Sequence, residues 1–499
     1  MTRTARDGAT GYGAAGYGAA GYGAAARPDG TTPRRSPATR RDVLRLTGAA
    51  LAGAAGLGAV SASAGCEFRA GERAGERAGG RGEPGPPDAL VVELAGGKLA
   101  VVQAATGRLL VQPAPAVISG DGRRLVRAEQ SAGTTRLTAH RLPDGAPVSA
   151  GTLTGALAVR ATSPEGGLVA LADDAGPGHT PYRPGPRERT TIVIADGAGQ
   201  RRRLELPGNL EPEAFDAAEQ ALFVLDHLPP TAPDRYRVRV VDIASGRVEP
   251  LLTRVKAVVP EGTEEEMRGE GRQAVYDPVR KRLFTLYTHQ PDHVHTRDRI
   301  AAANGAGDEG GDGAAGARED APHVHAFVHT LDLTERWAFC VDLPAPYGEQ
   351  PAAGHTIALS PDGTRLHVAD TGSGALATID PEGLTVLESF RFDPPTGGTG
   401  AGGAAPGDAA PAASTAHADG MVLVGAGREV VGLAGYTRGR APRWSTAAEV
   451  RGLAAPPSGD RLYVGQPDAV LRVEPGSWAI RQRIDVPGLV AVRRVVPVG

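Results

Sequence analysis

Histidine is concentrated in one stretch of the sequence, where six of the 12 histidines lie between residues 289 and 329. They occur in two short segments, THQPDHVH at residues 288–295 and HVHAFVH at residues 323–329. Alternate side chains of an extended strand share a face, so a His-x-His sequence places two imidazoles side by side. The two such pairs are His293 with His295, and His323 with His325.

These histidine pairs predict a metal-binding site. If the two segments form the stems of one antiparallel hairpin, the imidazoles of His293, His295, His323 and His325 converge. Neutral imidazoles in that number suit Zn²⁺ or Cu²⁺. A polar hairpin stem that holds no ion is the alternative interpretation, because a short motif of this kind also occurs without metal.

No other segment carries a recognisable catalytic constellation. The sequence has no Gly-x-Ser-x-Gly elbow, no phosphate-binding loop and no His-Glu-x-x-His motif, so we predict no catalytic residues. This favours a binding or scaffolding module over an enzyme. A metal-dependent hydrolase or oxidoreductase that uses the histidines of residues 289–329 is the alternative function.

Two further kinds of residue could contribute chemistry, but their sequence context argues against it. Glu264, Glu265 and Glu266 form an acidic run that is typical of a solvated loop end, because no spaced oxygen ligands accompany it to form a calcium site. Cys340 lies in the strand-like segment WAFCV and is expected to be a small buried hydrophobic residue.

The elements that position these residues are β-strands, because a short unit recurs along the chain. Its clearest copy is SPDGTRLHVAD at residues 360–370, a tight Pro-Asp-Gly turn followed by an alternating strand. A second hairpin follows each copy, so the repeat is a four-stranded antiparallel unit and the chain is predicted to be all-β. Six further copies begin at Ser119, Ser163, Asp216, Asp277, His417 and Pro456.

The two ends of the repeat region complement each other. Residues 90–94 and 99–111 supply the later strands of a unit that lacks its first strand, and residues 489–498 form a lone strand after the last unit. A ring closed by its own termini leaves no exposed sheet edge. The sequence therefore predicts a β-propeller over residues 89–499. We count eight blades, or seven if one of the weaker copies, at Asp216 or His417, is not a blade.

Residues 360–380 and 456–474 resemble the repeats of YVTN-type β-propeller proteins, in which a Pro-Asp-Gly turn precedes a strand and a Thr-Gly hairpin turn. The segments HVAD at residues 367–370 and YVGQ at residues 463–466 approximate the strand that gives the family its name. The resemblance extends over residues 89–499 and implies the propeller fold. Propellers carry many unrelated functions, so it implies no activity.

Long insertions indicate which face of the ring binds a partner. In a blade with strands a to d outward from the axis, the a–b and c–d turns share one face, and the b–c and d–a connections share the other. We expect an extracytoplasmic protein or small ligand to bind at the second face. Drift in unconstrained glycine-rich loops is the alternative. The insertions of the second set are residues 174–189, 228–235, 254–270, 289–322 and 393–413.

The N-terminal part of the sequence predicts export. Residues 1–39 are of low complexity and are predicted to be disordered. Residues 40–66 resemble a twin-arginine export signal, because Arg40 and Arg41 precede a weakly apolar, Gly/Ala-rich segment at residues 46–60. An ordinary basic signal region is the alternative, and both imply export. No run of 18 apolar residues occurs, so no lasting transmembrane helix is expected.

Cys66 ends this segment in the sequence SAGC, which resembles a bacterial lipobox with Ser63 in place of the usual leucine. The resemblance implies that Cys66 carries lipid and that residues 67–88 form a flexible spacer between a membrane and the propeller. Residues 62–64 also form an ordinary cleavage site, so secretion without an anchor is the alternative. With a formal net charge of −3, the chain is not expected to bind nucleic acid.

Overall fold

The computed structural model describes residues 87–173, 184–269, 273–290, 293–304, 326–396, 413–434 and 441–498. In these residues the chain forms eight sheets, seven of four strands and one of five, with very little helix. The predicted extension and signal segment, with Arg40, Arg41 and Cys66, lie outside the described residues, as do His323, His325 and residues 67–86 of the predicted spacer. Asp88, the last residue of that spacer, is described and is buried. In the described part of the chain, no helix has the length and apolar character needed to cross a membrane.

Each sheet is one blade, and in six of the eight the four strands lie in chain order; blades 1 and 5 are the exceptions. Blade 1 begins the described chain with β1 (Ala89–Leu94), β2 (Lys98–Gln103) and β3 (Leu109–Ala114). Blade 2 contains β4 (Ala116–Ile118), β5 (Arg124–Ser131), β6 (Thr134–Arg141) and β7 (Pro147–Thr154). Blade 3 contains β8 (Leu157–Thr162), β9 (Val169–Asp173), β10 (Arg189–Asp196) and β11 (Gly199–Pro207).

Blades 4 and 5 carry the longest connections near the histidine-rich segment. Blade 4 contains β12 (Asn209–Phe215), β13 (Ala221–Leu228), β14 (Arg235–Asp242) and β15 (Val248–Pro250). Blade 5 contains β16 (Leu252–Thr253), β17 (Gln273–Asp277), β18 (Arg282–Tyr287), β19 (Phe327–Asp332) and β20 (Trp337–Asp342). Strand β16 pairs parallel to the outer strand β20, and a short helix, α1 (Thr296–Ala303), lies between β18 and β19 in the chain.

The remaining blades repeat the same plan. Blade 6 follows a 3₁₀ turn (Ala352–Gly354) and contains β21 (His355–Leu359), β22 (Leu366–Asp370), β23 (Ala375–Asp380) and β24 (Thr385–Arg391). Blade 7 contains β25 (Ala413–Ala418), β26 (Met421–Ala426), β27 (Glu429–Ala434) and β28 (Arg443–Ser445). Blade 8 contains β29 (Leu453–Ala454), β30 (Leu462–Gln466), β31 (Ala469–Glu474) and β32 (Ala479–Asp485).

The last strand, β33 (Leu489–Val496), closes the ring by pairing antiparallel with β1. Val496 lies opposite Ala89, and Leu489 lies opposite Leu94. The closure and the count of eight blades are confirmed as predicted, because the weaker sequence copies at Asp216 and His417 both fall at the first hairpin of a complete blade.

Local turn chemistry explains why the repeats fold as hairpins. In blade 6 the carboxylate of Asp362 accepts hydrogen bonds from the Ser360 hydroxyl and the Thr364 backbone amide. Gly363 adopts a φ of 69°, a conformation that a side chain resists. Its amide donates to the carbonyl of Ser360. Gly122 and Gly459 make the same bond in blades 2 and 8, so one turn type sets the register repeatedly.

The hydrophobic core lies between neighbouring blades. Between blades 4 and 5, Phe223, Tyr236 and Phe327 belong to one buried cluster, and the Tyr236 hydroxyl lies 3.0 Å from that of Tyr287. Between blades 5 and 6, Phe284 and Leu366 belong to another. The first strands of successive blades contact one another around the axis. Stability therefore depends on contacts between blades.

The topology defines two faces of the ring. The turn face carries the a–b and c–d connections, and the long-loop face carries the b–c and d–a connections. All five predicted insertions join strands in the second way and belong to the long-loop face. The prediction that the insertions all belong to the second set needs correction, because β27 ends at Ala434 and β28 begins only at Arg443, and this connection is of the c–d kind. Long connections are therefore concentrated on one face without being confined to it.

Candidate metal centre

His293 and His295 lie immediately before helix α1, in the connection between β18 and β19 on the long-loop face. The backbone at His295 is extended, with φ −67° and ψ 151°, but neither residue belongs to a strand, so the predicted hairpin stem is absent at this pair. The two rings are nevertheless adjacent, with centroids 4.7 Å apart and an interplanar angle of 77°.

Hydrogen bonds orient both rings toward a common point. Nδ1 of His293 lies 3.2 Å from the backbone carbonyl oxygen of Glu266 and is placed to donate to it. Nε2 of His295 lies 2.6 Å from Oδ1 of Asp342 and is likewise placed to donate. The remaining nitrogens, Nε2 of His293 and Nδ1 of His295, face each other at 3.1 Å. A ligating histidine whose other nitrogen donates to a carboxylate or carbonyl is the usual arrangement around protein metals.

Glu265 supplies a carboxylate between the two rings. Its Oε2 atom lies 3.6 Å from Nδ1 of His295 and 3.9 Å from Nε2 of His293. The prediction that residues 264–266 form a solvated loop end is wrong, because Glu265 is 9% exposed. The neighbouring glutamates point elsewhere and have their own partners, Arg237 and Arg239 for Glu264 and Arg235 for Glu266.

His329 and Cys340 complete the group from two neighbouring strands. They are cross-strand partners on β19 and β20, which places their side chains on the same face of the blade. Sγ of Cys340 lies 3.3 and 3.5 Å from the two carboxylate oxygens of Glu265. Nε2 of His329 lies 3.3 Å from Oε1 of Glu265, close enough for an ion pair when the imidazole is protonated.

Glu265, His293, His295 and Cys340 present four donor atoms within 4.8 Å of one another. In the described residues this is the one group of histidine, cysteine and acidic side chains that converges in this way. Zinc bonds of about 2.0–2.3 Å in a tetrahedron imply separations of about 3.3–3.7 Å between the donors. Four of the six donor pairs are separated by 3.1, 3.5, 3.6 and 3.9 Å, close to that range, and all six lie within 4.8 Å. We call these four residues and His329 the metal-ligand cluster.

The electrostatics of the metal-ligand cluster fit a cation. Burial alone would raise the pKa of the Glu265 carboxyl, but hydrogen bonds from His295 and His329 outweigh burial and hold that pKa well below its usual range. Burial opposes the charged form of His295, yet its bonds to Asp342 and Glu265 raise its pKa to about 9. Burial and the Glu265 charge raise the pKa of the Cys340 thiol. Without metal, protons occupy the positions that a metal ion would take.

The other predicted residues divide into two groups. His323 and His325 lie outside the described residues, so their predicted role stays a prediction. His289 lies away from the metal-ligand cluster, with its ring centroid 6.4 Å from that of His355. Cys340 is buried, as predicted, but its contact with Glu265 was not predicted. The sequence signal that could have placed Cys340 beside His329 is the short LDLTERW segment at residues 331–337. It forms a tight hairpin turn and sets His329 opposite Cys340.

No protein-family model matches the sequence, so membership of the YVTN-type repeat family is not confirmed. No curated protein matches it either. Similar solved structures include the dihydro-heme d1 dehydrogenase NirN in complex with DHE, at 14% identity and a TM-score of 0.40, covering 85% of this chain and 77% of that chain.

Two other solved structures are similar at the same level. Apo AztD from Citrobacter koseri is 15% identical with a TM-score of 0.36, covering 83% of this chain and 98% of that chain. BamB from Moraxella catarrhalis is 13% identical with a TM-score of 0.35, covering 75% of this chain and 92% of that chain. At identities of 13–15% and TM-scores of 0.35–0.40, these similarities carry no conclusion about the function of this chain.

Proposed function

We propose that this protein is a transition-metal-binding β-propeller in which the metal-ligand cluster holds one Zn²⁺ ion. The observation that carries the proposal is the pair of ring nitrogens of His293 and His295, which face each other at 3.1 Å while their opposite nitrogens are engaged by oxygen acceptors. At that distance the lone pairs of these two nitrogens would repel each other. A proton or a metal ion must therefore lie between the two rings, beside the carboxylate of Glu265.

Zinc is favoured over copper by the donor set. Two imidazoles, one carboxylate and one thiol form a compact group of mixed nitrogen, oxygen and sulfur donors, which suits tetrahedral Zn²⁺. Cu²⁺ prefers a planar, tetragonal set of nitrogen and oxygen donors. Binding is favoured over catalysis because Glu265, His293, His295 and Cys340 all serve as metal donors and Asp342 orients one of them.

The experiment compares Zn²⁺ affinity in Glu265→Gln and Glu266→Gln variants of the full-length protein, by competition with a chromophoric chelator. Gln at position 265 loses the negative charge and should weaken binding at least about tenfold. Gln at position 266 is the matched control, because that side chain pairs with Arg235 instead. Wild-type protein that binds no Zn²⁺, or a Glu265→Gln variant with unchanged affinity, would contradict the proposal.

We also propose that the propeller is exported and anchored at a membrane surface through lipid on Cys66. The support is the sequence: Arg40 and Arg41 precede the apolar segment, and Cys66 stands at its end. Stable anchoring requires more than one acyl chain. Cys66→Ala should move the protein from the membrane fraction to the medium with its melting temperature unchanged. A variant that fractionates like the wild type would exclude the anchor.

The long-loop face is the side on which we propose that an extracytoplasmic partner or small ligand binds. Glu265 comes from the d–a connection between blades 4 and 5, and His293 and His295 come from the b–c connection of blade 5. Both connections belong to this face. Two separate insertions on the same face therefore contribute residues to the metal-ligand cluster.

A further inference from the structure

A cavity of about 400 Å³ lies beside the metal-ligand cluster, between blades 4 and 5. Its lining is mostly apolar and includes Leu251, Val259 and Met267 from the connection between the blades, Ile300 from α1 and Ala338 from β20. This volume is within the range of small-molecule sites and is too small for a folded partner.

One part of the cavity is polar, and it is formed by the metal-ligand cluster. Glu265, His295, His329 and Cys340 all contribute to the lining. The side chain of His329 is 3% exposed, and its Nε2 atom lies 3.3 Å from Oε1 of Glu265. The cavity therefore combines apolar walls with the buried polar atoms of the proposed metal position.

The wall formed by Phe339 is held in place by two arginines that also line the cavity. The guanidinium groups of Arg254 and Arg297 lie 5.2 and 5.6 Å from the centre of its ring. Arg254 also donates to the backbone carbonyl of Gly383, and Arg297 pairs with Asp342. Pre-formed walls of this kind lower the ordering cost of binding a small ligand.

We propose that the cavity binds a small organic molecule with a compact apolar body and a single donor atom, which coordinates the metal and lies beside Nε2 of His329. This rests on the proposed metal-binding function. Zinc accepts a further ligand by exchanging one donor or by expanding to five-coordination. The apolar walls bind the body of the molecule, and a strongly charged or extended body is disfavoured because the lining offers it few polar partners.

The test uses full-length protein loaded with Co²⁺, whose visible spectrum reports on coordination, and two probes with the same donor. The probes are imidazole and 4-phenylimidazole, which differ by an apolar ring. We expect 4-phenylimidazole to perturb the spectrum with an affinity about tenfold or more above that of imidazole, because the ring leaves water for the cavity. Equal affinities, or no spectral change with either probe, would overturn the proposal.

A matched pair of variants on α1 tests whether the probes bind in this cavity. Ile300→Asp puts a charge on the lining, whereas Ala301→Asp puts the same charge on an exposed neighbour that does not line the cavity. Ile300→Asp should remove most of the preference for 4-phenylimidazole, and Ala301→Asp should keep it. A preference that survives in both variants would exclude the cavity as the site.

Co²⁺ stoichiometry separates the two proposals. If wild-type protein binds no Co²⁺, the metal-binding function itself fails. If it binds Co²⁺ but does not distinguish the two probes, only the cavity proposal fails. Should Ile300→Asp not fold, Ala338→Phe offers a second variant, since a ring at that position fills the cavity. Its control is Val279→Phe, which adds the same ring at a position 78% exposed on the turn face.

Discussion

Nε2 of His293 and Nδ1 of His295 face each other at 3.1 Å, and the opposite nitrogen of each ring contacts an oxygen atom. For His295 that oxygen belongs to Asp342, whose carboxylate also accepts from Arg297. Asp342 therefore fixes the ring orientation and leaves Nδ1 facing His293 and Glu265, where a bound metal ion would replace its proton. A side chain that contacts no metal can in this way determine which nitrogen binds it.

Asp342→Asn should lower Zn²⁺ affinity by about tenfold to a hundredfold, because the amide orients the His295 ring less firmly and withdraws negative charge. Asp298→Asn is the matched control, since the Asp298 carboxylate also lies near Arg297, at 3.7 Å, but does not hydrogen-bond the His295 ring. Its backbone amide donates to the His295 carbonyl, and the substitution keeps that bond. The measurement is competition against a chelator. Equal losses in both variants would show that general charge, and not ring orientation, is responsible.

Cys340→Ser should remove the thiolate-to-metal absorption of the Co²⁺-loaded protein while leaving weaker binding by the other donors. The chain has two cysteines, so Cys66→Ser is the natural control and should keep the absorption. Loss of the band in Cys66→Ser, or its persistence in Cys340→Ser, would remove Cys340 from the set of donors.

The fold was predictable because its signals are local. The Pro-Asp-Gly turn at residues 361–363 fixes a hairpin with atoms only a few residues apart, and the same turn recurs around the ring. The pairing of His293 with His295 was also predictable from adjacency, although they lie on an extended loop instead of a strand.

The rest of the metal-ligand cluster could not be predicted from local patterns. Glu265 meets Cys340 across 75 residues, and this contact depends on how blade 4 packs against blade 5. The three consecutive glutamates look equivalent in sequence. The Glu264 carboxylate accepts hydrogen bonds from Arg237 and Arg239, which are alternate residues of β14. The Glu266 carboxylate accepts one from Arg235. Only Glu265 turns toward the histidines.

Asp88→Asn tests how firmly the ring is closed. The buried Asp88 carboxylate accepts hydrogen bonds from the Arg461 guanidinium and the Tyr463 hydroxyl, linking the start of blade 1 to blade 8. Removing one partner of a buried ion pair should lower the free energy of unfolding by about 3 kcal/mol or more. Asp460→Asn is the control, because Asp460 pairs with the same arginine but is largely exposed, and should cost about 0.5 kcal/mol or less. Similar losses in denaturant titrations of both variants would contradict this account of closure.

His367 and His417 should make stability depend on pH. Their rings lie 5.0 Å apart between blades 6 and 7. Burial, with the charges of His417 and Arg365, lowers the pKa of His367 to about 3, against an opposing effect of Asp362. Burial lowers the pKa of His417 to about 4, again opposed by Asp362.

Because both pKa values are depressed in the folded state, the unfolded chain binds protons first as the pH falls below about 6.5. Stability should therefore decrease between pH 6.5 and 4, by about 1.4 kcal/mol per pH unit for each histidine. A double variant, His367→Gln with His417→Gln, should lose less stability over this interval. Both proteins are compared in excess chelator by denaturant titration, so that metal binding does not contribute. Identical pH profiles would rule out these two histidines as the cause.

The central claim is tested most directly by anomalous X-ray scattering at the zinc absorption edge, from crystals of the full-length protein grown with Zn²⁺. We predict one strong peak at about 2.0–2.3 Å from Nε2 of His293, Nδ1 of His295, the Glu265 carboxylate and Sγ of Cys340. A protein that holds Zn²⁺ elsewhere, with no anomalous peak among these four side chains, would contradict the account.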